Sequence, residues 1–237
     1  MQYGRETRLL DYACGTGSIT RALGPFVTTI KGIDISENMV KRYNDDARAA
    51  GLPEERVQAV VGDLCADEVP DHLKGPEYYN FDIAVIGLGF HHFENPVRAI
   101  ERLTERLKTD TGVLLIIDFL PFDEEAGNSD DPWKGTIKHR GFTTENMSKL
   151  YAAAGLVKFS FSMLDKPAVL EKEEGEVKRG IFIARGYRSP TRWQKISNWV
   201  YDMQMSASEQ MQIGPREEQP KKLGMFGEQN LGKTFRS

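Results

Sequence analysis

Three short stretches combine acid and glycine in a way that could wrap a tight turn around a ligand. The first is Asp11-Tyr12-Ala13-Cys14-Gly15-Thr16-Gly17. Its two glycines permit a sharp bend and let a ligand approach backbone N–H groups at the start of a following helix. The plainer reading is an ordinary turn after a strand. The second is Asp34, where a carboxylate can accept both hydroxyls of a ribose, or else cap a helix. The third is Gly62-Asp63-Leu64, where a carboxylate can take an adenine amino group, or else hold a turn. His91 and His92 add an imidazole pair. Either can take a proton, and either can serve as no more than pocket wall.

Alternating strands and helices must position these residues. Leu9–Ala13 reads as a strand entering the glycine turn, followed by a helix over Ser18–Leu23 that stops at Gly24-Pro25. Val27–Ile33 reads as a second strand ending at Asp34. Ser36 caps a helix with Met39, Val40, Tyr43, Ala47 and Ala50 on one face, and Gly51 ends it. Val57–Val61, the almost wholly apolar Phe81–Ile86, and Val113–Ile117 are three more strands. Pro96 opens a helix with Ile100, Leu103 and Leu107 inward, and Thr143 or Thr144 caps another with Met147, Leu150, Tyr151 and Ala154 aligned. Strands over Val157–Met163 and Gly180–Tyr187 finish the pattern. This rhythm predicts an α/β domain with a mostly parallel sheet, and right-handed crossovers gather the strand carboxyl ends on one edge.

Composition narrows the function. The 237 residues carry 31 Lys+Arg against 35 Asp+Glu, and at 40% hydrophobic they can bury a core. The mild acidity argues against a protein built to grip nucleic acid. The acidic excess lies in residues 1–187, whereas 188–237 is net basic and poor in aliphatics. Residues 1–187 therefore read as the domain. Residues 188–205, with Trp193, Ile196, Trp199, Val200 and Met203 at helical spacing, read as a short helix, and 206–237 as a disordered tail. Two cysteines make no disulfide scaffold, no metal site is expected, and the apolar run Val113–Ile117 is broken by Asp118, so no membrane span is read. With no signal-like start, the expected compartment is the cytoplasm.

Among nucleotide folds, a dinucleotide fingerprint fails, because G-x-G-x-x-G/A counted from Gly15 needs its third small residue at Thr20. A Walker A Lys-Ser/Thr pair is absent as well. The set LLDYACGTGSITRAL, IKGIDISENMV, VVGDL, FDIAVIGLGFHHF and GFTTENMSKLYAAAGL instead resembles the class I S-adenosylmethionine-dependent methyltransferases. Within them it looks most like the small-molecule group that includes the ubiquinone/menaquinone-biosynthesis-type enzymes, over roughly residues 8–187. The resemblance implies a Rossmann-like, doubly wound, seven-stranded sheet with an antiparallel last strand. It implies S-adenosylmethionine as cofactor, with Asp11, Ala13, Gly15 and Gly17 around its methionine part. It further implies Asp34 on the ribose, Ile35 and Met39 along the adenosine, Asp63 on the adenine amine with Leu64 beside it, and the backbone near Gly87 meeting the methionine amine.

Two departures qualify the resemblance. Ala13 stands where many members have the first glycine, which narrows the turn. Only about eight residues precede the first strand, where members usually carry helices over the cofactor, so the site is expected to be open or the chain to be a piece of a longer protein. The function expected is methyl transfer to a small molecule, and the competing one is a non-catalytic binding module that keeps the fold. Gly87-Leu88-Gly89-Phe90 lacks the Pro-Pro pattern of amino-methylating nucleic-acid enzymes, so nucleic acid is not the expected substrate. Pro121–Gly141, with Trp133, Lys138, His139 and Arg140, reads as a substrate-side lid. Cys14 and Cys65 read as buried apolar groups, His72 as solvated, and Glu171–Glu176 as an acidic hairpin turn with Lys172 on a solvated face.

Overall fold

The computed structural model describes residues 6–122, 136–172 and 175–190. Five strands, β1 (Arg8–Tyr12), β2 (Thr29–Asp34), β3 (Val57–Val61), β4 (Ile83–Gly87) and β5 (Val113–Phe119), run parallel. With β6 (Leu156–Met163) and β9 (Ile181–Arg188) they form one seven-stranded sheet in the order β3-β2-β1-β4-β5-β9-β6. The last strand in the chain, β9, is antiparallel to both its neighbours, as the resemblance implied. The order reverses between β1 and β4, which sets the crevice where open α/β sheets bind ligands.

Among the described residues, three α-helices begin at a side-chain cap, and the first begins at Gly17 without one. Helix α1 (Ser18–Leu23) follows the glycine turn and gives way to a 3-10 turn at Gly24–Phe26. Helix α2 (Glu37–Ala49) has Ser36 as N-cap, accepting from Met39 N–H, and Gly51 follows it at φ 72°. Asn95 caps α3 (Pro96–Arg106), with proline in the first turn where its missing N–H costs nothing. Thr143, rather than Thr144, caps α4 (Thr144–Ala153), through a reciprocal pair with Asn146.

The core lies on both faces of the sheet. Leu9, Val27, Ile30, Val40, Tyr43, Val57 and Val85 form one cluster. Leu10, Tyr12, Ile86, Phe90, Ile100, Leu103, Leu114, Ile116, Tyr151 and Phe182 form the larger one opposite. Strand β5 alternates cleanly, with Leu114, Ile116 and Asp118 buried and Val113, Leu115 and Ile117 half-buried.

Several expectations shift. Val27 and Thr28 precede β2, because the 3-10 turn before them leaves Thr28 bonded to Thr7. Phe81 makes an isolated bridge to Leu107, so β4 begins at Ile83. The acidic hairpin turn expected at Glu171–Glu176 lies where β7 (Ala168–Lys172) pairs antiparallel with β8 (Gly175–Arg179), Glu171 opposite Glu176. Strand β9 carries the fold through Arg188, whose N–H donates to Gly112 O at 2.9 Å. The helix expected over 188–205 beyond Pro190, the tail 206–237, and most of the lid including Trp133 lie outside the described residues. No helix among the described residues is long and apolar enough to cross a membrane.

Candidate functional site

The glycine turn after β1 is held from two sides. Cys14 N–H donates to Ile33 O at 3.2 Å, and Gly15 N–H donates to Asp34 Oδ2 at 2.8 Å. Gly15 and Gly17 sit at φ 51° and 87°, where L side chains are strained; Ala13 takes φ 55° despite its Cβ. A Cβ on Gly17 would stand 2.9 Å from the Tyr43 ring, and one on Gly87 would stand 2.2 Å from Ile19. Both glycines are therefore fixed by close approach.

Asp11 lies beneath this turn with 1% exposure. Its Oδ2 accepts Thr20 Oγ1–H at 2.7 Å and Thr20 N–H at 3.1 Å, and Tyr43 shares the threonine hydroxyl at 2.8 Å. Its Oδ1 is buried without a hydrogen-bond partner among the described residues. Burial raises its pKa to about 7, against the lowering by the Thr20 bonds.

Asp34, at the end of β2, receives Gly15 N–H on Oδ2 and Ser36 N–H at 2.9 Å on Oδ1. Each oxygen keeps a second lone pair for a ligand. Beyond it Ile35 is 73% exposed, with Met39 also at the surface, an arrangement left for apolar contact with something outside the fold.

Asp63 is tied to β1 by a residue that sequence reading treated only as strand. Tyr12 donates its hydroxyl to Asp63 Oδ1 at 2.9 Å and accepts Leu64 N–H at 3.1 Å. Cys65 N–H also reaches Asp63 Oδ1, at 2.7 Å, so both bonds fall on one oxygen. Burial first, then the neighbouring Cys65 and Asp63, pushes the Tyr12 phenol well above its usual range and keeps it a donor. The signal available in sequence was the tyrosine's inward parity in a buried strand.

The other half of the edge is formed by β4 and β5. Leu88 N–H donates to Ile117 O at 2.8 Å and carries the chain past Gly87 at φ 56°, leaving the Leu88 side chain exposed. His91 and His92 lie on the 3-10 turn Phe90–His92. They do not share one role. His91 is buried against Asp118, its Nδ1–H donating to Oδ1 at 2.7 Å. His92 reaches the surface while its ring is partly covered; its Nδ1–H donates to Thr136 O at 2.9 Å, and the partial desolvation lowers its pKa. Asp118 was read only as the residue that breaks an apolar run.

Cys14 is buried and Cys65 half-buried, and burial raises both thiols. His72 is exposed as expected but not purely solvated, since its Nε2 meets Val61 O at 2.8 Å. Among the described residues no group of three or more His, Cys, Asp or Glu could hold a metal ion. A recess of about 310 Å³ between α1 and α2 reaches Gly17, Thr20 and Tyr43 from behind but touches none of Asp34, Asp63 or Gly87.

Comparison with known proteins agrees with this architecture. Residues 10–116 match a family described as Methyltransferase domain. An uncharacterized methyltransferase of Schizosaccharomyces pombe is 34% identical over 152 residues, covering 62% of this chain and 52% of the relative. A demethylmenaquinone methyltransferase of Bacillus cytotoxicus is 28% identical over 113 residues, covering 46% of this chain and 44% of the relative. The chain thus spans about half the length of these curated relatives. The solved YcgJ protein of Bacillus subtilis shares the fold at TM-score 0.56 and 16% identity, over 78% of this chain and 93% of its own.

Proposed function

From the premise that this chain carries a methyltransferase domain of the class I S-adenosylmethionine-dependent kind, we propose that it transfers a methyl group from that cofactor to a small molecule. The observation that carries the reading is the run of three carboxylates and a glycine turn on one edge, with Asp34 tied to the glycine turn by Gly15 N–H, Asp63 tied to β1 by the Tyr12 hydroxyl and Asp11 held by Thr20. When bound, the sulfonium of S-adenosylmethionine supplies an electrophilic methyl.

The donor set suits the cofactor. The unpartnered Asp11 Oδ1 is a buried acceptor of the kind an ammonium group satisfies. Asp11, Ala13, Gly15, Gly17 and the backbone near Gly87 surround the methionine part in this proposal. Asp34 takes the ribose diol on the lone pairs its backbone partners leave. Ile35 and Met39 flank the adenosine, and Asp63, with Leu64 beside it, takes the adenine amine on Oδ2. These residues bind and orient; in-line placement and exclusion of water then account for most of the rate.

The acidic chain and the Gly87–Phe90 strand end favour a small acceptor over nucleic acid, and we place the protein in the cytoplasm. The test is formation of S-adenosylhomocysteine from labelled S-adenosylmethionine with a small-metabolite extract, compared with total RNA. Label in the metabolite fraction is expected. Label in RNA alone would reverse the substrate assignment, and label in neither would favour the non-catalytic binding module.

A further inference from the structure

We propose that His91 is the base that takes the acceptor's proton, that Asp118 is its positioning residue, and that the acceptor is therefore an acidic hydroxyl, a phenol or an enol. This rests on the methyl-transfer reading above. Asp118 is 0% exposed, and its two oxygens receive three donors. His91 N–H reaches Oδ2 at 3.0 Å, while His91 Nδ1–H and Phe119 N–H reach Oδ1 at 2.7 Å each. A carboxylate only accepts, so Nδ1 must keep its hydrogen, and in the neutral ring Nε2 carries the lone pair. Nε2 makes no hydrogen bond among the described residues.

A wall residue has no need of this partner. Burying a carboxylate is costly without a charge to meet it, and the three N–H groups offset that cost only in part. The carboxylate becomes favourable when the ring turns cationic, as it does on taking a proton. The ring is also held in place: His92 and Phe119 pack on it at 4.0 and 5.1 Å, and His91 O accepts Lys138 N–H and His139 N–H at 3.0 Å. The turn bearing it abuts the glycine turn, since a Cβ at Gly89 would lie 3.3 Å from that of Ala13.

Among the described residues, the charged and titratable groups around the ring are Asp118 on β5, His92 beside it, and Lys138 and His139 on the segment whose N–H groups meet His91 O. Lys138 pairs with Glu94 at 3.2 Å, and Arg179 of β8 lies over Phe119 at 5.4 Å. In the step proposed, the acceptor O–H bond breaks to His91 Nε2. The O–CH3 bond forms as the S–CH3 bond breaks with its electron pair left on sulfur, and the imidazolium then releases its proton to solvent. An amine acceptor attacks with its own lone pair and sheds its proton afterwards, so the pair points to hydroxyl acceptors.

The experiment uses the full chain with labelled S-adenosylmethionine, catechol and 4-nitrophenol as phenols, dimedone as an enol, and benzylamine as the amine control. Hydroxyl probes should be methylated. His91→Ala and His91→Gln should slow turnover about 10²–10⁴-fold while S-adenosylhomocysteine affinity stays within about twofold. The glutamine keeps a donor for Asp118 should the alanine variant misfold. Histidine-labelled NMR should find the His91 Nδ1–H tautomer, and Asp118→Asn should disturb that tautomer and shift the pH–rate profile. Unchanged turnover in His91→Gln, an Nε2–H tautomer, or methylation of benzylamine alone would overturn the proposal. Failure of every hydroxyl probe with S-adenosylhomocysteine still bound would overturn it too, leaving the underlying reading intact. Absence of S-adenosylhomocysteine binding by the wild type would instead sink the underlying reading.

Discussion

At the ends of β2 and β3, Asp34 and Asp63 accept N–H or hydroxyl groups from adjoining turns, yet each retains acceptor capacity for a ligand. At the end of β5, Asp118 is sealed from solvent and receives three donors, from Phe119 N–H and from His91 N–H and Nδ1–H. In the proposed function the same side chain thus serves as a ligand-binding group in one half of the edge and as the orienter of another group in the other. Asp11 lies between the two cases, buried like Asp118 but with one oxygen unmatched like a binding residue. Burial alone therefore does not separate the two uses; the number of donors aimed at each oxygen does.

The largest stability effect expected from this contrast is at Asp11. The folded chain holds the Asp11 proton to about pH 7, whereas an unfolded aspartate releases it near 3.8. Folding therefore takes up a proton between those values, and the contribution of Asp11 to stability falls as pH rises through that window. The decline should reach roughly 3 kcal/mol. Urea unfolding at pH 5 and pH 8 should show Asp11→Asn flattening most of that dependence. An equally steep dependence in the variant would remove Asp11 from the intermediate position given to it.

Next in size is the Tyr12 hydroxyl, which joins the glycine turn to Asp63. Tyr12→Phe leaves the buried Leu64 N–H without its partner and frees Asp63, at a cost of about 1–3 kcal/mol in thermal or urea unfolding. Adenosine binding should weaken along with it. If stability falls and adenosine affinity does not, Asp63 is a turn residue and the binding half shrinks to Asp34 and the glycine turn.

The smallest effect tests the substituted glycine. Ala13 sits in the left-handed region, so Ala13→Gly removes backbone strain but adds unfolded-state entropy. The net expected is a gain of up to about 1 kcal/mol. A loss would mean that the Ala13 Cβ, packed near Gly89, matters more than the strain.

The turns of the proposed binding half were legible because their signals are local. A glycine turn, a cap at Ser36 and an acid after each strand are visible within a few residues, and the sheet then aligns them. The other half depends on contacts across the chain. His91 and Asp118 are 27 residues apart, and nothing beside Asp118 names its partner. The one usable sign was parity, since an acid on the buried face of β5, in step with Leu114 and Ile116, demands a donor. Tyr12 and Asp63 are 51 residues apart and were hidden for the same reason. The hairpin turn at Glu171–Glu176 was legible in its acidic run, but the bounds of β7 and β8 were not, because two polar strands without a core carry little hydrophobic period.

The central claim is that this edge binds S-adenosylmethionine through Asp34. Calorimetric titration of the folded chain with S-adenosylhomocysteine tests it most directly, with Asp34→Ala alongside. Two charge-assisted hydrogen bonds to a ribose are worth roughly 3 kcal/mol together, so the variant should bind about 10²-fold more weakly than a micromolar wild type. A wild type that binds no S-adenosylhomocysteine, or a variant that binds it equally well, would contradict the account.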